Sequence, residues 1–267
     1  MKKSYFIVLL CTVLLMACAT SPTGRRQFMI VSEDTAISAS RQAYVEMLKP
    51  YEQKGKVDND PALKKRVYEI TGRLIAQAIK MRPETKNWDW SIKIIDDPKT
   101  VNAWAMAGGK MALYTGLVDK VKPTDDELAQ VLGHEIAHAL AKHSAEKMSV
   151  AMASTIGVLA VGVAADNKGL ALSGAALAAA LAVEKPNSRA AESEADRIGI
   201  ELAAKAGYDP RAAITLWQKM AKVGGQGPPQ FLSTHPSPAN REKKLAEYVP
   251  EMMPYYEQKG VRPAYKL

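Results

Sequence analysis

His134-Glu135-Ile136-Ala137-His138 leaves this chain fewer options than any other segment. Two histidines four residues apart project from one face of a helix toward a shared ion, and the glutamate after the first lies beside it. The flanking sequence supplies that helix. Thr124 and Glu127 have capping-box spacing, Asp125 and Asp126 place negative charge in the first turn, and Leu128, Val131, Leu132 and Ile136 recur at helical intervals. A helix is predicted from about Asp125 through His138 to near Lys147. Neutral imidazole binds zinc at about 2.0 to 2.1 Å, and an adjacent carboxylate can take a proton from water held there. His134 and His138 are candidate zinc ligands, and Glu135 is a candidate general base. His143, five residues beyond His138 and about 140° around the helix, is expected to face solvent.

A catalytic zinc takes three protein ligands and keeps an open position. No further histidine lies close to the first two, so a carboxylate is the natural third ligand. Glu192 and Asp196 stand four apart on one helical face, with Glu194 pointing away from both. One of the two can bind metal while the other supports a histidine. A solvated acidic face paired with Arg189 and Arg197 is the plainer alternative.

The chain opens with MKKSYFIVLLCTVLLMAC, a basic start and an apolar run too short to span a bilayer comfortably, which reads as an export signal over residues 1–17. Leu15-Met16-Ala17-Cys18 resembles a bacterial lipobox, which implies cleavage before Cys18 and lipidation of that residue. Cys11 would leave with the leader, so no thiol remains for a disulfide. Ser21–Gln27 is polar and turn-rich, which suits a lipidated tether over residues 18–27, with 28–267 as one folded domain. Net charge is +8, or +6 without Lys2 and Lys3, and is spread without a basic stripe, which argues against nucleic acid. Hydrophobic residues at 47% and charged residues at 24% argue against a disordered tail and a polytopic membrane protein.

Amphipathic helices are predicted over Thr35–Leu48 and Pro61–Ile79, strands over Trp88–Ile95, Val101–Ala107 and Lys110–Thr115, with Gly108-Gly109 as a two-residue hairpin turn. Met148–Ala165 and Gly169–Val183, rich in Ala and Gly, read as a helical hairpin packed on the body, open to a role as lid or partner surface. Helices follow over Ser188–Lys205 and Pro210–Val223, then a Gly/Pro loop over Gly224–Pro229. An extended peptide could add to the hairpin strand, with Asn102 and Trp104 lining the cleft, although Trp104 could equally be a core aromatic.

NAWAMAGGKMALYTGL, the HEIAH helix, SRAAESEAD and the late THPSPANRE occur in the order found in the M48 family of zinc metallopeptidases, which the chain resembles over about residues 22 to 247. The lipobox is similar to that of its small bacterial lipoprotein members, the LoiP-like proteins, and mitochondrial Oma1-type members share the core pattern. The resemblance implies an α+β zincin-like fold, mainly helical with a small sheet, and one Zn2+ held by His134, His138 and Glu192. It further implies Glu135 as general base and Asp196 as partner of a ligand histidine. His235, in the late HP motif, could steady an oxyanion, occupy a fourth zinc position at rest, or be a plain loop histidine; Arg241 could pair with developing charge or a local acid.

The expected function is a membrane-anchored zinc metalloendopeptidase acting on unfolded or misassembled envelope proteins, with the envelope assembly machinery as a candidate partner. Ala19 after Cys18 favours the periplasmic face of the outer membrane, by resemblance to lipoprotein sorting. The alternatives are a noncatalytic chaperone on the same fold and a zinc amidase acting on cell-wall peptides.

Overall fold

The computed structural model describes residues 18–161, 177–178, 180–181, 187–223, 229–236 and 240–267. The leader, most of Gly169–Val183 and the loop at 224–228 lie outside the described residues. From Cys18 the chain folds back on itself: β1 (Cys18–Thr20) pairs antiparallel with β2 (Arg26–Phe28), Cys18 opposite Phe28. The segment read as a tether is therefore a small hairpin fixed to the body, since Arg25 pairs with both Glu146 and Glu194.

Side-chain caps start the first two long helices. Ser32 accepts from the Thr35 amide ahead of α1 (Glu33–Glu52), and Asp60 accepts from the Ala62 and Leu63 amides ahead of α2 (Pro61–Met81), with Pro61 where a missing N–H costs nothing. Three strands follow, β3 (Ser91–Ile95), β4 (Ala103–Met106) and β5 (Lys110–Tyr114), in the order β3-β5-β4. β3 runs parallel to β5 on one edge, and β4 runs antiparallel to it on the other.

The turn between β4 and β5 has three residues, Ala107 to Gly109, because Met106 rather than Ala107 pairs with Lys110. Both glycines sit at positive φ, +77° and +75°. A Cβ on Gly109 would stand 2.3 Å from the Trp90 ring, so glycine is required there for contact as well as conformation.

α3 (Thr115–Val121) leads to α4 (Asp125–Leu140), whose capping box is formed as expected: Glu127 accepts from the Thr124 amide at 2.8 Å and Thr124 accepts from the Glu127 amide at 3.2 Å. α4 ends seven residues before the expected Lys147. Lys142 adopts the left-handed conformation, φ 58°, which breaks the helix and starts α5 (His143–Val161) in a new direction. α5 takes up the first part of the apolar stretch from Met148. α6 (Arg189–Lys205), α7 (Ala212–Lys222), the short α8 (Gln230–Thr234) and α9 (Arg241–Tyr256) complete the described elements. Among the described residues, no helix is long and apolar enough to cross a membrane.

The sheet separates two cores, and strand alternation decides which side chain enters which. Ile92, Ile94, Ala103, Ala105, Met111 and Leu113 face the larger core with α2, α4, α6 and α7. Trp104, Met106, Ala112 and Tyr114 face the smaller one, closed by α1 and the start of α5. The architecture is α+β and mainly helical, as expected.

Candidate metal centre

Four donors converge at the junction of α4, α6 and the turn after α8. Nε2 of His134 and Nε2 of His138 lie 3.1 Å apart, one helical turn separating them on α4. α6 crosses α4 and brings Glu192 to both, 3.2 Å from His134 Nε2 and 3.3 Å from His138 Nε2. His235 closes the group, with Nδ1 3.2 Å from His134 Nε2 and 3.1 Å from Glu192 Oε1. Donor atoms of His134, His138, Glu192 and His235 all lie within 4.8 Å of one another, and all four residues are buried, Glu192 completely.

Burial pushes the Glu192 carboxyl up, yet His235, His138 and His134 around it outweigh that and hold it well below the usual range. At His134 burial is outweighed by Glu192 and Asp196, which bring the imidazole up to about 9, whereas at His138 burial prevails and holds the ring well below its ordinary value. Glu135 sits beside this group, 3.3 Å from His235 Nε2. Burial pushes its carboxyl up, against the nearby histidines and the Ala105 amide. The cavity here is lined by Ala105, Glu135, His138, His143, Lys147 and His235. Burial brings the Lys147 ammonium down to about 8.

A second ring of contacts holds the donors. Asp196 lies 3.1 Å from Nδ1 of His134 and accepts from Nη2 of Arg241 at 2.5 Å. The Arg241 guanidinium stacks on the Trp217 ring at 3.4 Å. Arg241 is thus the charge partner of Asp196, a role its distance in sequence, 45 residues, does not reveal.

The structure brings together His134, Glu135, His138, Glu192, Asp196 and His235, all named from the sequence. It places Trp104 on one of the two readings left open for it and corrects the reading of His143. Trp104, 1% exposed, belongs to the smaller core, edge-on to Tyr44 at 5.9 Å, because it points to the opposite side of β4 from Ala105, which lines the cavity. His143, 2% exposed, does not face solvent: the helix break at Lys142 removes it from the α4 wheel and turns it back onto His138, Nδ1 to Nδ1 at 2.7 Å. Asn102 is buried at the entry to β4, and neither atom of its side-chain amide has a partner among the described residues. The acidic face of α6 is not solvated; Glu192, Glu194 and Asp196 are all buried, and Arg197 pairs with Glu251 instead.

The profile of Peptidase family M48 matches residues 61–249, a span that contains every donor of this group. The chain belongs to peptidase family M48. Among curated proteins, this M48 chain is 36% identical over 231 residues to the mitochondrial metalloendopeptidase OMA1 of Schizosaccharomyces pombe, covering 86% of the chain and 65% of that protein. It is 32% identical over 243 residues to human mitochondrial metalloendopeptidase OMA1, covering 86% of the chain and 45% of that protein. The beta-barrel assembly-enhancing protease of Yersinia pestis is 30% identical over 205 residues, 73% of the chain and 41% of that protein. The chain thus spans less than two thirds of the length of each of these relatives.

Zinc is the metal of this family, and the M48 donor set fits it. Zinc ligands at about 2.0 to 2.2 Å in a tetrahedron stand roughly 3.3 Å apart. The separations of 3.1 to 3.3 Å between His134 and His138, between each of them and a Glu192 oxygen, and from His235 to His134 and Glu192 are close to that spacing. Oε2 of Glu192 is buried and makes no hydrogen bond, with His134 Nε2 at 3.2 Å and the Arg241 guanidinium at 3.6 Å, which leaves its lone pairs available to a metal.

Proposed function

We propose that this protein is a membrane-tethered zinc metalloendopeptidase that hydrolyses peptide bonds of unfolded or misassembled cell-envelope proteins. The observation that carries the reading is a buried set of two histidines and a glutamate at zinc spacing, with the Glu135 carboxylate adjoining it at the wall of a cavity. His134, His138 and Glu192 would hold the metal. When bound, zinc supplies a Lewis acid that polarises a carbonyl and acidifies water to a pKa of about 7.

The chain's own residues do the rest. Glu135 accepts the proton of the attacking water and passes it to the leaving amine, and the low polarity that raises its carboxyl suits both halves of that exchange. Asp196 accepts from Nδ1 of His134 and so directs Nε2 at the metal position. β4, an edge strand whose Ala105 lines the cavity beside Glu135, offers its main chain to an extended substrate.

His235 stands where a fourth donor would stand, which supports a resting form in which that histidine must leave before substrate enters.

The envelope location rests on the leader and lipobox, with Cys18 as the lipidated residue and the periplasmic face of the outer membrane as its site. The Yersinia relative's name associates that protein with beta-barrel assembly, which supports an envelope substrate for this one. Mass spectrometry of the N-terminal peptide tests lipidation directly; an unmodified Cys18 thiol would reject it.

The activity is tested by measuring zinc content and casein cleavage side by side for the parent and Glu135→Gln. One zinc in both with cleavage only in the parent is expected. Equal cleavage by both rejects Glu135 as base, and zinc without cleavage in either favours a chaperone on this fold.

A further inference from the structure

His138 touches its surroundings through two different nitrogens. Nε2 faces Glu192, while Nδ1 lies 2.7 Å from Nδ1 of His143, whose Nε2 in turn lies 3.1 Å from Oε2 of Glu194. His138, His143 and Glu194 are all buried. Donor and acceptor capacity fixes the protons along this row. A nitrogen that gives its lone pair to a metal carries no hydrogen, so with zinc on Nε2 His138 would carry its hydrogen on Nδ1 and donate to Nδ1 of His143. His143 then carries its hydrogen on Nε2 and donates to Glu194, an acceptor.

Glu194 is itself held from outside α6. Thr23 donates to its Oε1, and Nε of Arg25 donates to its Oε2 at 2.7 Å. The other two nitrogens of the same guanidinium grip Glu146 on α5 at 2.8 and 2.6 Å. Gln27 donates to the carbonyl of Ala141 at 2.7 Å, on the turn that delivers His143. Thr23, Arg25 and Gln27 all belong to the β1–β2 hairpin or its turn, which therefore fastens the Glu194 end of the row and the turn that leads into His143.

We propose that His143 and Glu194 are positioning residues for His138, and that the β1–β2 hairpin fastens them through Arg25, coupling the docking of the N-terminal segment to metal affinity. The inference rests on the reading of His138 as a zinc ligand. The brace fixes the ring orientation and raises the basicity of Nε2. Because coupling between two equilibria is reciprocal, whatever tightens the hairpin tightens the metal, and metal tightens the hairpin.

The test uses the full chain, with the zinc dissociation constant from chelator competition, the visible spectrum of the cobalt(II) form, and the melting of the metal-free protein as a check on folding. His143→Phe and Glu194→Gln are expected to weaken zinc about 10- to 100-fold and to alter the cobalt spectrum. His143→Gln, whose amide can accept from His138 and donate to Glu194, is expected to recover most of that loss. Arg25→Met, at the edge of the row, is expected to weaken zinc by roughly threefold to tenfold.

Parental zinc affinity in folded His143→Phe and Glu194→Gln overturns the brace, and parental affinity in Arg25→Met overturns the fastening. Should His143→Phe fail to fold, Glu194→Gln and Arg25→Met decide by the same criterion. A parent that binds no zinc, or a His138→Ala variant with undiminished affinity, overturns the ligand reading beneath it instead.

Discussion

Gly199 on α6 lies directly against the backbone of His134 on α4: a Cβ there would stand 2.8 Å from the His134 amide nitrogen and 2.9 Å from its Cα. Gly133 meets Gly199 from the other side, where a Cβ would stand 2.9 Å from the Gly199 carbonyl oxygen. The two helices that carry the donors thus touch backbone to backbone, and that approach brings Glu192 within 3.3 Å of both histidines.

Gly199→Ala is expected to destabilise the protein by about 1 to 3 kcal/mol, since neither neighbouring atom is a flexible side chain that can give way. The zinc site should loosen with it. Thermal melts with and without zinc check this, and a variant with unchanged melting and zinc affinity would show that the helices can separate without cost.

Arg241→Met should cost roughly 3 to 5 kcal/mol, because it leaves Asp196 buried without its cation. Asp196→Asn removes the charge on the other side and should be milder in stability yet still weaken zinc about tenfold through His134. Denaturant titration and chelator competition on the same preparations separate the two effects.

His235→Ala should open the fourth position. The expected outcome is faster basal cleavage of casein together with weaker zinc retention, because the ring is removed from within 3.2 Å of His134 Nε2. A loss of cleavage with zinc retained would assign His235 to oxyanion stabilisation instead.

Asp58 gives a pH dependence away from the site. Burial raises its carboxyl, but Lys93 at 2.8 Å, the Ile94 amide at 3.0 Å and Lys64 at 3.3 Å outweigh that and hold it below its ordinary value. A depressed folded value stabilises above the unfolded pKa of about 3.9 and is lost as pH falls through the folded value. Asp58→Asn, which tolerates the φ of 55° there, should therefore be less stable than the parent at pH 7, by about 1 to 3 kcal/mol, with the gap closing below about pH 4. Urea melts across pH 3 to 7 measure it; a constant gap would reject the electrostatic origin.

The sequence disclosed the chemistry because local rules govern it. A capping box starts α4 whatever lies around it, and HExxH spacing sets two imidazoles on one face of any helix. The same holds for Glu192 and Asp196, four apart on α6, each bonded to a different part of the histidine pair. The misreading of His143 had an equally local cause. The helical wheel assumes an unbroken helix, and nothing in Ala141-Lys142 announces a left-handed residue, which Lys142 adopts where Gln27 reaches the Ala141 carbonyl from 114 positions away.

Donor types, their spacing and the strands and helices that bear them were thus determined by the sequence, through periodicity and capping over a few residues. Tertiary structure alone decided that Trp104 enters a core while Ala105 faces the cavity, that Arg241 neutralises Asp196, and that the hairpin at Arg25 reaches the row behind His138. Those pairings join residues from 45 to 169 positions apart, and a charge finds a partner at that range only when buried surfaces have already forced the elements together.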